Sequence, residues 1–434
     1  MSTIRVGQQK PEPATRFAPR FLSVLLPMIA ALVFGLLGIG QRSLWYDELQ
    51  TSDAVINGLD GLFFHIWEAP LLPYYSIVFL WSLGGEFSSD TWIRIPSVIG
   101  FVIASGMSSA TALRLAGWKA AAVAGTVVAT SSSLAWFAHD ARPYAIGAGL
   151  ISISMYLLVR SWTDDRLIVW ILYIGSWAAV LLVYPIGLAA LPAHLWLSHT
   201  NGALLTRVGR WAWAAVALIP FVGLGAFLFV KSGERMHAWV PTPAVGDFFE
   251  GVWWIGGTIA VALAIMALLS KRGRIWLVGV LLVVLSTWLV SRVGASFWLS
   301  RSLIPFLGLF AVAASFVAQR LSAMALGALL GLLCLVQIGP LIEQQTRDDD
   351  RPWKGIVEFV AEQDADQRSI VNSGWGEIGF ATRQYVPDAE IDVYTWGTVP
   401  PMNYWTMEPD SRCNRLGEVT LENGTTLTQC RPLR

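Results

Sequence analysis

The stretch APLLPYYSIVFLWSLGG, Ala69 to Gly85, carries no charged residue. It is just long enough to cross a bilayer, for which a helix needs about 17–25 apolar residues. Whether it crosses decides the fold, because every later loop changes sides with it. Around it lie other charge-free stretches long enough to span: 21–40, 95–113, 120–138, 143–159, 211–230, 251–270, 275–291, 302–319 and 321–342. From Leu167 to Thr206 no Asp, Glu, Lys or Arg occurs, too long a run for one helix. Pro185 divides it into crossings near 167–183 and 185–200, because proline interrupts a helix. That makes eleven crossings without 69–85.

Lys and Arg concentrate in the short loops on the cytoplasmic side of a membrane protein. With 69–85 lying in the interface, the cytoplasmic segments hold fourteen Lys/Arg and the opposite short loops seven. With 69–85 crossing, the bias disappears, at ten against eleven. The first arrangement is therefore expected, with the N-terminus cytoplasmic. Asp47, Glu48, Glu68, Asp140 and Arg301 then all face the outer side. Residues 54–85, with Pro70, Pro73, Trp67 and Trp81, read as amphipathic helices along the outer leaflet.

Composition agrees with a chain built for lipid. Of 434 residues 55% are hydrophobic and 14% charged, where a soluble domain carries about 25% charged residues. The mean hydropathy is +0.54. Twenty-two Trp and twenty Phe suit aromatic belts at the two interfaces. Net charge is zero with no basic stripe, which argues against nucleic acid as a partner. The start resembles a signal sequence, but run 21–40 is too long and lacks a small-residue cleavage site, so it is expected to stay as an anchor.

Beyond residue 343 the chain turns polar, with sixteen Asp/Glu and nine Lys/Arg and no spanning run. Ser369-Ile370-Val371-Asn372-Ser373 reads as a strand, 376–386 as a helix, and Ile391-Asp392-Val393-Tyr394 as a second strand. Val419 to Leu427 alternates around Asn423-Gly424, a hairpin signal. A small α/β domain is expected, and an odd number of crossings puts it outside. There Cys413 and Cys430, flanking the hairpin, can pair in an oxidising compartment. Asn423 also begins a glycosylation sequon. Asp348-Asp349-Asp350 reads as a solvated linker and Cys334 as a small hydrophobe within a crossing. The expected plan is an all-α polytopic membrane protein with interfacial helices in its first outer loop (41–94). Its parts are a tail 1–20, a transmembrane region 21–342 and a small extracytoplasmic α/β domain 343–434.

Two adjacent carboxylates, Asp47 and Glu48, follow the first hydrophobic run, where charge is costly unless water, partners or chemistry occupy it. The stretch Leu44-Trp45-Tyr46-Asp47-Glu48-Leu49-Gln50-Thr51 resembles the first-loop signature of the GT-C glycosyltransferases. Within that group it is similar to the protein O-mannosyltransferases and the bacterial lipid A aminoarabinose transferases. Trp67-Glu68-Ala69-Pro70-Leu71-Leu72-Pro73-Tyr74-Tyr75 and Trp92-Ile93-Arg94-Ile95-Pro96-Ser97 resemble their "PPLYY … RLPS". Trp136-Phe137-Ala138-His139-Asp140-Ala141-Arg142-Pro143-Tyr144-Ala145 resembles their "QEARMYAL". Arg301-Ser302-Leu303-Ile304-Pro305 resembles "RYLLP", and Asp350-Arg351-Pro352-Trp353-Lys354 the "DW" that leads into an outer domain. The likeness covers most of 42–160 and thins afterwards. The chain departs at 68–70, where Glu68-Ala69-Pro70 lacks the basic residue of some members. It departs again at His139-Asp140, which replaces Gln-Glu.

The resemblance implies transfer of a sugar, mannose in the commonest case, from a polyprenyl-phosphate carrier to an envelope glycan, lipid or protein hydroxyl. It implies Asp47 as the base, in a single inverting displacement. Asp140 is the second acid on the same side. Glu48, Glu68, His139, Arg142 and Tyr144 are candidate substrate contacts. Arg301 can hold the leaving phosphate as a bidentate donor, with Lys231, Arg235 and His237 as weaker candidates. No metal is assigned, although paired acids with His139 can bind a divalent cation such as Mg2+ or Mn2+. His65 reads as an interfacial packing residue. A transporter or lipid-carrier flippase fits the composition too, but no internal repeat of the transporter kind occurs.

Overall fold

The computed structural model describes residues 17–65, 70–232, 240–293, 296–346, 353–372, 377–395, 403–407, 413–421 and 425–432. Glu68, Arg235, His237, Asp348–Asp350 and Asn423 lie outside them. The chain starts with α1 (Phe17–Leu36). Three short helices follow, α2 (Tyr46–Ile56), α3 (Gly58–Phe64) and α4 (Leu72–Trp81). Next come α5 (Asp90–Ala116), α6 (Trp118–Ala129), α7 (Ser132–Ala138) and α8 (Pro143–Ser161). α9 (Leu167–Val183) leads through a 3₁₀ turn at Pro185–Ala190 to α10 (Leu191–Thr200). The helical part continues with α11 (Ala203–Thr206), α12 (Val208–Ser232), α13 (Phe248–Gly256), α14 (Ala260–Leu268) and α15 (Lys271–Val293). It closes with α16 (Ser300–Leu303), α17 (Leu307–Ser315) and α18 (Ala323–Thr346).

Seven of these segments are long and apolar enough to cross a membrane, or nine if the bent pairs α6–α7 and α13–α14 each count as one. The eleven expected from sequence are thus not all seen as long helices. α9 has seventeen residues, about 25 Å at 1.5 Å per residue. The 185–200 run is broken, with only ten residues in α10. The stretch that decided the topology forms α4, ten residues or about 15 Å, half of a hydrocarbon core. α4 ends in Leu83, Gly84 and Gly85 at φ +50°, +78° and +100°, a left-handed run that stops the helix.

The described residues fall into two compact units. The larger comprises residues up to Leu37, Ile66–Tyr74 and Arg94–Gln345. Its centre is α17, all nine residues of which are buried, as befits a helix apolar all round. α6, α14 and α15 pack on it. α5 and α8 cross closely through glycines: a Cβ on Gly100 would lie 2.5 Å from the Ala145 carbonyl oxygen, and one on Gly149 2.8 Å from that of Gly100. Outward, α12 exposes Val216, Ile219, Val222, Leu224 and Phe227. Such an apolar face belongs in lipid, and the chain is a multi-pass membrane protein.

The second unit comprises Gly38–His65, Tyr75–Ile93 and Thr346–Arg434. Its C-terminal part holds α19 (Trp353–Ala361), α20 (Glu377–Tyr385) and a five-stranded sheet. The strands are β1 (Ser369–Asn372), β2 (Asp392–Thr395), β3 (Tyr404–Thr406), β4 (Cys413–Thr420) and β5 (Thr426–Pro432), in the order β2-β1-β3-β5-β4. β1 pairs in parallel with β2 and β3, while β3–β5 and β5–β4 are antiparallel. β3 carries no alternating signature in sequence because all three of its residues are buried. Cys413 and Cys430 form a disulfide between β4 and β5.

Candidate active site

Asp47 sits in the first turn of α2, half-buried, and Glu48 beside it is buried. Trp45, just before the helix, donates its N–H to Glu48 Oε2 at 3.4 Å. This is one half of a capping box, so Glu48 secures the start of the helix that presents Asp47. Eight consecutive residues, Glu48 to Val55, are buried, and they include Gln50, Thr51, Ser52 and Asp53. α2 is therefore no amphipathic helix with one face to solvent, as the sequence suggests for the far end of this loop. Its polar side chains are interior and need partners. Asp53 receives a hydrogen bond from Asn57 Nδ2 at 3.0 Å and pairs with His65 Nε2 at 2.9 Å and with Arg383 Nε.

His65 is accordingly more than the interfacial packing residue expected. Its ring packs against Tyr75 and Phe380, at 6.0 and 5.9 Å between centroids, yet it is fully buried on a carboxylate. Burial pushes the Asp53 carboxyl up, but the hydrogen bonds and charges of His65 and Arg383 outweigh it, leaving it below its usual value.

In the larger unit the second signature folds as a tight buried corner. Ser131 caps α7 by accepting from the Leu134 N–H at 3.3 Å. Pro143 starts α8, where its missing N–H is no loss. Between them His139, Asp140, Ala141 and Arg142 are all buried. The Ser97 hydroxyl donates to the carbonyls of Asp140, at 2.6 Å, and Arg142, at 3.2 Å, tying the corner to α5. His139 Nε2 lies 3.2 Å from the Phe34 carbonyl oxygen, which can only accept, so that nitrogen carries the proton.

Arg301, half-buried, lies over the Tyr144 ring with its guanidinium carbon 5.9 Å from the centroid. Tyr144 packs against Phe137 at 4.9 Å and Tyr184 at 6.4 Å. Tyr184 donates its hydroxyl to the Ser302 carbonyl at 2.8 Å, fixing the backbone next to Arg301. Thus His139, Asp140, Arg142, Tyr144 and Arg301 belong to one unit and Asp47 and Glu48 to the other. Of the supports, Ser97 lies within a quoted motif, whereas nothing in the sequence marks Tyr184, Asp53 or Arg383. Among the described residues no three His, Cys, Asp or Glu side chains group as a metal site.

These elements make up a mostly helical membrane fold with a small C-terminal sheet. The chain is similar over nearly its whole length to ArnT from Cupriavidus metallidurans bound to undecaprenyl phosphate. The TM-score is 0.62 at 14% identity, covering 94% of this chain and 97% of that one. The apo state of the same protein matches with equal TM-score at 13% identity. The apo oligosaccharyltransferase of Archaeoglobus fulgidus matches at TM-score 0.51 and 10% identity, covering 86% of this chain and 64% of that one. No protein-family model and no curated protein matches the chain in sequence.

Proposed function

We propose that this chain is a membrane glycosyltransferase acting on the outer face of the membrane. It moves a sugar, mannose in the branch it resembles, from a polyprenyl-phosphate carrier to a hydroxyl of an envelope glycan, lipid or protein. What carries the reading is a fold shared end to end with ArnT, a protein solved with undecaprenyl phosphate bound. The half-buried carboxylate of Asp47, held on a capped helix behind the first crossing, supports it.

In this reading the acceptor O–H bond breaks, and its proton passes to Asp47, which needs hydrogen-bond reach to that hydroxyl. The oxygen attacks the anomeric carbon from the side opposite the carrier. The carbon–oxygen bond to the phosphate breaks with its electron pair leaving on the lipid phosphate, so the anomeric centre inverts. Arg301 neutralises that phosphate; its guanidinium is a fixed, permanently charged fork, here backed by Tyr144. Asp140 and Arg142, with His139 and Tyr144, position substrate from a corner that Ser97 holds rigid. Glu48 and Glu68 are further candidate substrate contacts, Glu48 also securing the start of α2. Eleven crossings, counting 167–183 and the broken run 185–200, set the two ends on opposite sides, and the Lys/Arg bias assigns the N-terminus to the cytoplasm and the C-terminal domain to the outside.

The test incubates membranes holding the chain with radiolabelled polyprenyl-phosphate sugars and endogenous acceptors. Asp47→Asn at normal expression is expected to lose about a hundred-fold or more of the transfer rate, the scale of a lost general base. Full activity in that variant removes Asp47 as the base. Carrier movement across vesicles without label transfer from any donor identifies a flippase instead.

A further inference from the structure

The last turn of α20 is embedded in the first outer loop. Its three consecutive residues, Arg383, Gln384 and Tyr385, each bind that loop at a different point. Arg383 pairs with Asp53 near the C-terminal end of α2. Gln384 accepts from Ser52 and donates to the Ser88 carbonyl at 3.1 Å and to Asp90 at 3.2 Å. Tyr385 donates to Asp90 at 2.9 Å and accepts from the Leu44 N–H at 2.8 Å. Successive helix residues point about 100° apart, so three in a row engage the loop over a wide arc of the turn. One turn earlier, Phe380 packs against Tyr46 and His65, at 6.3 and 5.9 Å, and lies under Arg383 at 5.0 Å.

Asp47 falls between two of these tethers. Leu44, three residues before it, is held by Tyr385, and Asp53, six residues after it, by Arg383. The span between them is one capped helix, so fixing both ends fixes the carboxylate. Stability alone does not require such a design. The Arg383 side chain is 47% exposed, and a pair with a solvent-exposed partner adds little stability, yet α2 buries Gln50, Thr51, Ser52 and Asp53 together.

We propose that Arg383 and Tyr385 are positioning residues, and that the C-terminal domain sets the Asp47 carboxylate by clamping α2 at both ends. This rests on the reading of Asp47 as the base.

The test uses the full chain in lipid nanodiscs, with Arg383→Met, Arg383→Lys and the milder Tyr385→Phe. Amide hydrogen exchange should speed up over residues 44–57 in Arg383→Met and Tyr385→Phe, with the transmembrane peptides unchanged. The transfer kcat should fall about ten- to hundred-fold, the effect of roughly an ångström of misplacement. KM for the carrier sugar should stay constant, and Arg383→Lys should recover part of the rate. Wild-type exchange and turnover in Arg383→Met and Tyr385→Phe, alongside an inactive Asp47→Asn, overturn the clamp and leave the base intact. A fully active Asp47→Asn overturns the base, and with it the catalytic meaning of the clamp, whatever exchange shows. A fall in affinity for the carrier at unchanged kcat also overturns the proposal.

Discussion

At Asp53 burial and pairing oppose each other. Burial raises its carboxyl, and the donors His65 and Arg383 bring it down further than burial raised it, below the usual 3.8. A carboxyl with a lowered folded pKa contributes stability that is complete above its usual value and lost as the pH falls through the folded one. The melting temperature of the purified chain should therefore exceed that of Asp53→Asn by a constant margin from pH 7 to about 5, and the margin should close below 3.8. A margin unchanged at pH 3 would show that the ionised carboxylate is not what the cluster stabilises. None of this is legible locally. Asp53 and Arg383 are 330 positions apart, and no periodicity links them. Asp47, Asp140 and Arg301 were legible because polar residues beside long apolar runs stand out. Their supports, the Ser97 hydroxyl and the Tyr184 ring, look like ordinary helix residues until the helices pack.

Among elements, glycine marks where helices must touch. Gly100 and Gly149 let α5 and α8 approach to backbone contact, the way small residues pack helices in membranes. Gly100→Val should lower stability by about 1–3 kcal/mol through overpacking. Gly223→Ala in α12, where a Cβ meets nothing within 4 Å, should leave it unchanged or slightly raised. Thermal unfolding in detergent reads both. In the sheet, Cys413 and Cys430 close a loop with a sequence separation of 17, which in the chain-entropy picture contributes about 3 kcal/mol. Reduction should accordingly expose β4 and β5 to proteolysis while the helical peptides stay protected. The hairpin and the first two strands were readable because turn residues and alternation are local signals. The break at Pro185–Ala190 was only half readable: Pro185 marks a boundary, but the length of each piece depends on what packs beside it.

For the whole molecule, the bias of Lys and Arg and the length of α4 point the same way. At ten residues α4 is about half as long as a hydrocarbon core is thick, and the proposed topology, which keeps it on the outer side, preserves the bias. Single cysteines at the exposed positions 86 and 245 should react with a membrane-impermeant thiol reagent added outside intact cells, and one at 166 only after permeabilisation. A cytoplasmic cysteine at 86 or 245 would overturn the topology and the chemistry built on it.

The pairing of α2 with α20 also bears on how the protein is made. The first outer loop emerges early in synthesis, but Leu44 and Asp53 find Tyr385 and Arg383 only 341 and 330 residues later. Until then Asp53 has Asn57 and His65 beside it but not Arg383. The loop that carries Asp47 thus begins among the earliest segments and matures among the last. In the proposed reading, a nascent chain stalled before residue 377 would carry Asp47 on a helix that still lacks its clamp.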